Sequence, residues 1–198
     1  MLRKSRILAM SLLLTVGTFA CSDSTGTVGE TSGDPLTEAE SAAVLLELME
    51  VFGGFGATSA PAVSPADLIP IDESLDETAE CPGGGSVRLR GNISGTVDDQ
   101  TFAMDLEFNF TEEINSCGVY HNEMLFVVDG APDITWAGDY MYSEQSLTGT
   151  FSMIGGFAYT AGDDRAGSCG MELNVNFTTG VASGNLCGRT FDQNVMFQ

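Results

Sequence analysis

"TFAMDLEFNF", residues 101–110, places a large apolar side chain at every second position. Phe102, Met104, Leu106, Phe108 and Phe110 fall on one side. Ala103, Asp105, Glu107 and Asn109 fall on the other. A period of two is the signature of a strand with one buried face. The preceding "SVRLRGNI", residues 86–93, alternates too, with Val87, Leu89 and Ile93 inward. A two-residue turn at Asp98-Asp99 would pair Val87 with Phe110, Leu89 with Phe108 and Ile93 with Met104. It would set Arg90 opposite Glu107 on the outer face. Each apolar residue then meets another, which is what register demands of a half-buried hairpin.

The same pairing extends downstream. Around "DGAPD", residues 129–133, Val128 meets Ile134 and Phe126 meets Trp136. Around "SEQS", residues 143–146, Tyr142 meets Leu147, and the strand of Trp136 meets that of Met153. Around "GDDRAG", residues 162–167, Tyr159 meets Met171 and Phe157 meets Leu173. A final strand near 183–191 is less regular. The sequence thus predicts a mainly β domain over residues 86–198: an antiparallel up-and-down meander of about seven strands, curled or barrel-like.

Upstream, "LTEAESAAVLLELMEVFGGFG", residues 36–56, changes to a helical period. Thr37 and Glu40 form a capping box. Ala42, Leu45, Leu48, Met49 and Phe52 share one face, and Glu40, Glu47 and Glu50 the other. Gly53 and Gly54 end the segment. An N-terminal amphipathic helix is expected, packed on the apolar face of the sheet. Residues 57–85 carry Pro61, Pro65, Pro70, Pro82 and six acids, and read as an irregular connection. Seven strands about 4.8 Å apart span nearly 30 Å, whereas a helix is roughly 10 Å across. One helix leaves much of that face for curling, closure or a groove. Phe102, Met104, Leu106, Phe108, Phe126, Trp136, Phe151 and Phe157 are the candidate lining for an apolar ligand.

The first residues, "MLRKSRILAMSLLLTVGTFAC", run basic, then apolar, then small. That is a secretory signal over residues 1–20. The stretch "TFAC" resembles the processing site of bacterial lipoproteins, on Ala20 and Cys21, although Thr18 and Phe19 depart from the usual residues. The resemblance implies cleavage before Cys21, its acylation by diacylglycerol and palmitate, and a membrane anchor. Ser22 in place of aspartate resembles lipoproteins sent to the outer membrane. Ordinary cleavage after Ala20, with Cys21 a free thiol, is the alternative. Residues 21–35, almost without apolar content, form the expected tether.

Of five cysteines, Cys21 is the odd one. The other four suit two disulfides in an oxidising compartment. In the first hairpin, Cys81 and Cys117 lie almost opposite. In the last, a turn near Thr178-Thr179-Gly180 brings Cys187 beside Cys169. The expected bridges are Cys81–Cys117 and Cys169–Cys187.

Beyond residue 20 the chain has no lysine, four arginines and all 28 acids, a net charge of −24. Such a surface repels phosphate backbones, so nucleic acid is not an expected partner. His121 is the only histidine, which removes zinc sites of two or three histidines within one chain. No G-x-S-x-G elbow, C-x-x-C pair or phosphate loop is present. Asp98, Asp99, Asp163 and Asp164 at predicted turns are weak calcium candidates, without a D-x-D-x-D-G loop. No cofactor is expected. The functional expectation is a non-catalytic envelope lipoprotein whose β domain serves binding or structure, with an apolar molecule or another envelope protein as partner. The alternatives are a carboxylate-dependent envelope hydrolase and a calcium-stabilised adhesion or assembly module.

Overall fold

The computed structural model describes residues 27–51, 68–143, 146–162 and 164–194. Eleven strands form one antiparallel sheet. They are β1 (Ser32–Gly33), β2 (Leu68–Glu80), β3 (Ser86–Asp98), β4 (Met104–Asn115), β5 (Cys117–His121) and β6 (Met124–Gly130). Then follow β7 (Ile134–Ser143), β8 (Ser146–Ala161), β9 (Arg165–Asn176), β10 (Val181–Leu186) and β11 (Arg189–Asn194). One helix, α1 (Glu38–Glu50), accompanies them among the described residues. The mainly β, antiparallel expectation holds. The count does not: β1 and β2 were not expected, the strand foreseen through Phe126 and Val128 is preceded by a separate β5, and the one foreseen near 183–191 is a hairpin of two.

The long path runs β11-β10-β9-β8-β7-β4-β3-β2, and its ends do not meet. The sheet is open, not a barrel. β8, sixteen residues long, is its spine. Its first part pairs with β7, from Ser146 to Ile154, and its last part with β6, from Phe157 to Ala161. β6 and β7 therefore lie end to end along one edge of β8. The cis Ala131-Pro132 bond stands between them. The expected β6–β7 hairpin, Val128 on Ile134 and Phe126 on Trp136, is not formed. On the other side, β10 borders β9 over Met171–Asn176, and β1 borders its earlier part at Gly167 and Ser168.

Several registers shift from expectation by an even number. β3 and β4 pair Val87 with Ile114 and Ile93 with Phe108, because six residues, 98–103, lie beyond the last pair, Val97 and Met104. Phe102 occupies that turn with φ +55° and is 60% exposed. β8 and β9 pair Phe157 with Cys169 and Tyr159 with Gly167. An even shift leaves every side chain on its foreseen face. Tyr142 meets Leu147 and Trp136 meets Met153 as expected.

α1 is not the first element. Residues 29–34 dock ahead of it along β8 and β9, so the expected tether is attached from Gly29 onward. The Gly29 amide donates to the Gly155 carbonyl, and a Cβ at Gly170 would lie 1.9 Å from the Gly29 carbonyl oxygen. Only glycine admits that approach. The Thr37 capping box is formed, with the Glu40 amide donating to the Thr37 hydroxyl at 3.2 Å. Ala42, Val44, Leu45, Leu48 and Met49 join one core with the inner residues of the strands. Phe52, Gly53 and Gly54 lie outside the described residues.

The expected irregular connection contains β2, thirteen residues paired throughout with β3. β2 is an edge strand, and its Pro70 and acids are what edges use against further pairing. Among the described residues no helix is long and apolar enough to cross a membrane.

Candidate functional sites

The residues chosen as an apolar ligand face are mostly core. Leu106, Phe108, Phe126, Trp136, Phe151 and Phe157 are buried, and Met104 is half-buried. The rings of Trp136 and Phe151 stack at 5.5 Å, and Phe108 meets Phe151 at 6.0 Å. Gly138 lies between Phe108 and Phe151 in register, and its missing side chain leaves the space in which those rings meet. This face is filled by the chain's own packing. Phe102 points out from its turn and lines nothing with the others.

Both expected cysteine pairs are brought together. Cys81 and Cys117 have Cα atoms 5.4 Å apart, and Cys169 and Cys187 4.3 Å apart, each with sulfurs at bonding distance. Cys187 sits in the β10–β11 turn with φ +51°, one residue beyond the ladder. In the ladder Leu186 opposes Met171, and Cys187 follows it in the turn. Cys21 lies outside the described residues.

Asp98 closes its turn by accepting from the amides of Gln100 at 2.9 Å and Thr101 at 2.8 Å. Those amide donors hold its carboxyl below the usual range. Asp99 belongs to the same turn, and Asp164 is exposed in another; Asp163 lies outside the described residues. Among the described residues no group of three or more His, Cys, Asp or Glu side chains is placed to hold a metal ion. His121 Nε2 lies 2.9 Å from the Asn122 side-chain nitrogen, beside the β5–β6 turn.

Sequence reasoning missed the most unusual group. Glu112 on β4 is 1% exposed and points into the core between Phe110 and Ile114. The indole N–H of Trp136 donates to its Oε2 at 2.8 Å. Its Oε1 has no hydrogen-bond partner. Burial pushes this carboxyl up to about 8; the Trp136 bond opposes the rise and the charge of Asp133 adds to it. The signal was present in the alternation Leu106, Phe108, Phe110, Glu112, Ile114. The stretch "TFAMDLEFNF" stops at Phe110, two residues short of it.

A second acid is displaced the other way. Glu40 of α1 accepts from Arg165 of β9 at 2.7 and 3.1 Å, and from the Thr37 amide at 2.8 Å. Arg165, foremost, holds its carboxyl down to about 2. A carboxylate favoured in the fold adds stability above its unfolded value near 4.5, and that stability is lost as pH falls toward 2. Arg165→Met should therefore cost on the order of 1–2 kcal/mol at pH 6, allowing for solvent screening, and progressively less toward pH 2. Urea unfolding across that range checks it; a constant difference would deny the ion pair this role.

The outer face of the sheet is polar. Asn92 and Ser94 of β3, Glu107 and Asn109 of β4, and Ala137 and Asp139 of β7 line a shallow groove of about 390 Å³. Glu107 and Asp139 stand directly opposite each other across the β4–β7 ladder. Neighbouring Arg88 and Arg90 are held by Asp76 and Glu113. Amides, a hydroxyl and paired carboxylates can accept and donate hydrogen bonds to a polar ligand or a cationic group. No family model, curated protein or solved structure matches this chain.

Proposed function

We propose that the chain is a bacterial cell-envelope lipoprotein, held in the outer membrane through an acylated Cys21, with a non-catalytic β domain that binds or scaffolds. The observation that carries the domain reading is the division of the sheet. Its inner face is buried in the core that the strands and α1 share, and its most displaced acid is sealed inside. Its open face offers hydrogen-bonding groups in a shallow groove. This moves the expected contact surface from the apolar face to the polar one. A polar partner, such as another envelope protein, suits it better than an apolar molecule.

The address rests on the signal-like start and on cysteine parity. Four cysteines are used in two bridges, which leaves Cys21 over. Labelling cells with a palmitate analogue tests it. The wild type should take up label and partition into detergent, and Cys21→Ala should do neither. Equal partitioning of the two proteins would sink the anchor.

A carboxylate-dependent hydrolase is the second reading, favoured by Glu107 and Asp139 facing each other in an open groove. Retaining glycosidases hold two carboxyl groups about 5 Å apart. Release of reducing sugar from envelope polysaccharide, abolished by Glu107→Gln and by Asp139→Asn, would favour this reading over the non-catalytic one.

A further inference from the structure

Glu112 stands where the sheet divides. It is the last residue of β4 to pair with β7, opposite Ile134, and on its other side Leu89 of β3 opposes it. Beyond it β4 leaves β7 and continues into β5. Asp133, the residue before Ile134, belongs to the turn that separates β6 from β7. The two halves of the sheet join here.

Among the described residues no cation reaches this carboxyl. Arg88 and Arg90 flank Leu89 on β3 but project to the opposite face, onto Asp76 and Glu113. Arg165 is held by Glu40, and Arg189 donates to the Leu36 carbonyl at 2.6 Å. Those are all the arginines after residue 20, and there is no lysine. β7 offers Ile134 and Trp136. β5 and β6 turn Cys117, Val119, Phe126 and Val128 into the same core. The buried face of α1, from Ser41 to Met49, carries no charge. The one charge that bears on Glu112, Asp133, has the wrong sign.

We propose that Glu112 is a proton-controlled seam: protonated, it keeps the β4–β7 end closed, and ionised, it drives that end apart to admit water. The geometry supplies both halves. A neutral carboxyl with one bond from Trp136 is tolerable in the core. A carboxylate with an orphan oxygen and no cation is not. The direction follows from proton linkage. An open seam ionises near 4.5 and the closed one near 8, so the closed state holds the extra proton between them. Opening should then gain about tenfold per pH unit across that window, roughly three orders of magnitude in all, and level off above it. The inference is independent of how the chain is anchored.

Hydrogen exchange of the purified full-length protein tests it, read at residues 111–113 and 134–136. Beyond the base-catalysed rise shared by every amide, these should gain about a further tenfold per pH unit from 5 to 8. Emission of Trp136, the only tryptophan, should shift to the red over the same range. In Glu112→Gln both extra changes should vanish. If that variant does not fold, Glu112→Met carries the same expectation. Within the wild type alone, amides of the β9–β10 ladder provide the comparison. Absence of the extra slope, its persistence without Glu112, or identical slopes and rates at seam and β9–β10 amides would overturn the seam, the last by showing global unfolding.

Discussion

Replacing all four bridged cysteines by serine should leave this domain unfolded, or nearly so, at 37 °C. The first bridge closes a loop of 36 residues and the second one of 18. On the chain-entropy relation these contribute about 4 and about 3 kcal/mol. The two loops do not overlap in sequence, so their effects should add to about 7 kcal/mol. A domain of this size is stable by only about 5–15 kcal/mol. The bridges also act at particular places. Cys81–Cys117 ties the edge pair β2–β3 to the β4–β5 corner. Cys169–Cys187 fastens the β10–β11 turn to β9, beside the docked strap. Thermal unfolding followed by circular dichroism, with and without reductant, measures the effect. A reduced protein melting within a few degrees of the oxidised one would show that the sheet's packing alone suffices. Single pairs should rank by loop length, with Cys81→Ser/Cys117→Ser the more severe.

What could be read from the sequence follows from the parity of strands. Alternation in "TFAMDLEFNF" placed Leu106, Phe108 and Phe110 on the buried face, and each is buried. The loop length was not legible. Six residues, 98–103, lie beyond the last β3–β4 pair in place of two, a shift of four, and an even shift preserves every face while changing every partner. Arg90 thus pairs diagonally with Glu113 and not with Glu107. β2 escaped notice for the reason that it is a safe edge: proline and acids erase the alternation by which strands are recognised. The meander itself failed at "DGAPD". A hairpin was the local choice there, but the long β8 offers both β6 and β7 a place on one edge, and tertiary pairing prevailed.

The candidate site was less legible than the fold. Apolar alternation cannot distinguish a ligand-lined face from a packed one; that depends on how much of it the rest of the chain covers. α1, the docked strap and the aromatic stacking around Gly138 fill the inner face. The outer groove needs three strands, β3, β4 and β7, that are not consecutive in sequence. Glu107 and Asp139 are thirty-two positions apart and become neighbours only once β7 is known to pair with β4. Glu112 was legible in phase but contrary to expectation in kind, since acids are rarely buried without a partner.

Leu45→Glu should abolish the native fold, while Leu46→Glu, one residue on, should leave it nearly unchanged. Leu45 is 1% exposed and part of the core that α1 shares with the sheet. Removing its side chain forfeits about 2–3 kcal/mol of apolar burial. Introducing a carboxylate adds several kcal/mol more unless a cation meets it. Among the described residues none is at hand, because Arg88, Arg90, Arg165 and Arg189 are all engaged elsewhere. Leu46, by contrast, is 43% exposed on the opposite side of the helix, and a surface exchange there usually stays within about 0.5 kcal/mol. Glu47 and Glu50 close by could add a few tenths by like-charge repulsion. Urea unfolding monitored by Trp136 emission compares the two. If Leu45→Glu unfolds at a urea concentration close to the wild type, α1 is an appendage and the sheet is stable without it. The inner face would then be open after all, and the apolar residues from Leu106 to Phe157 would return as a binding surface.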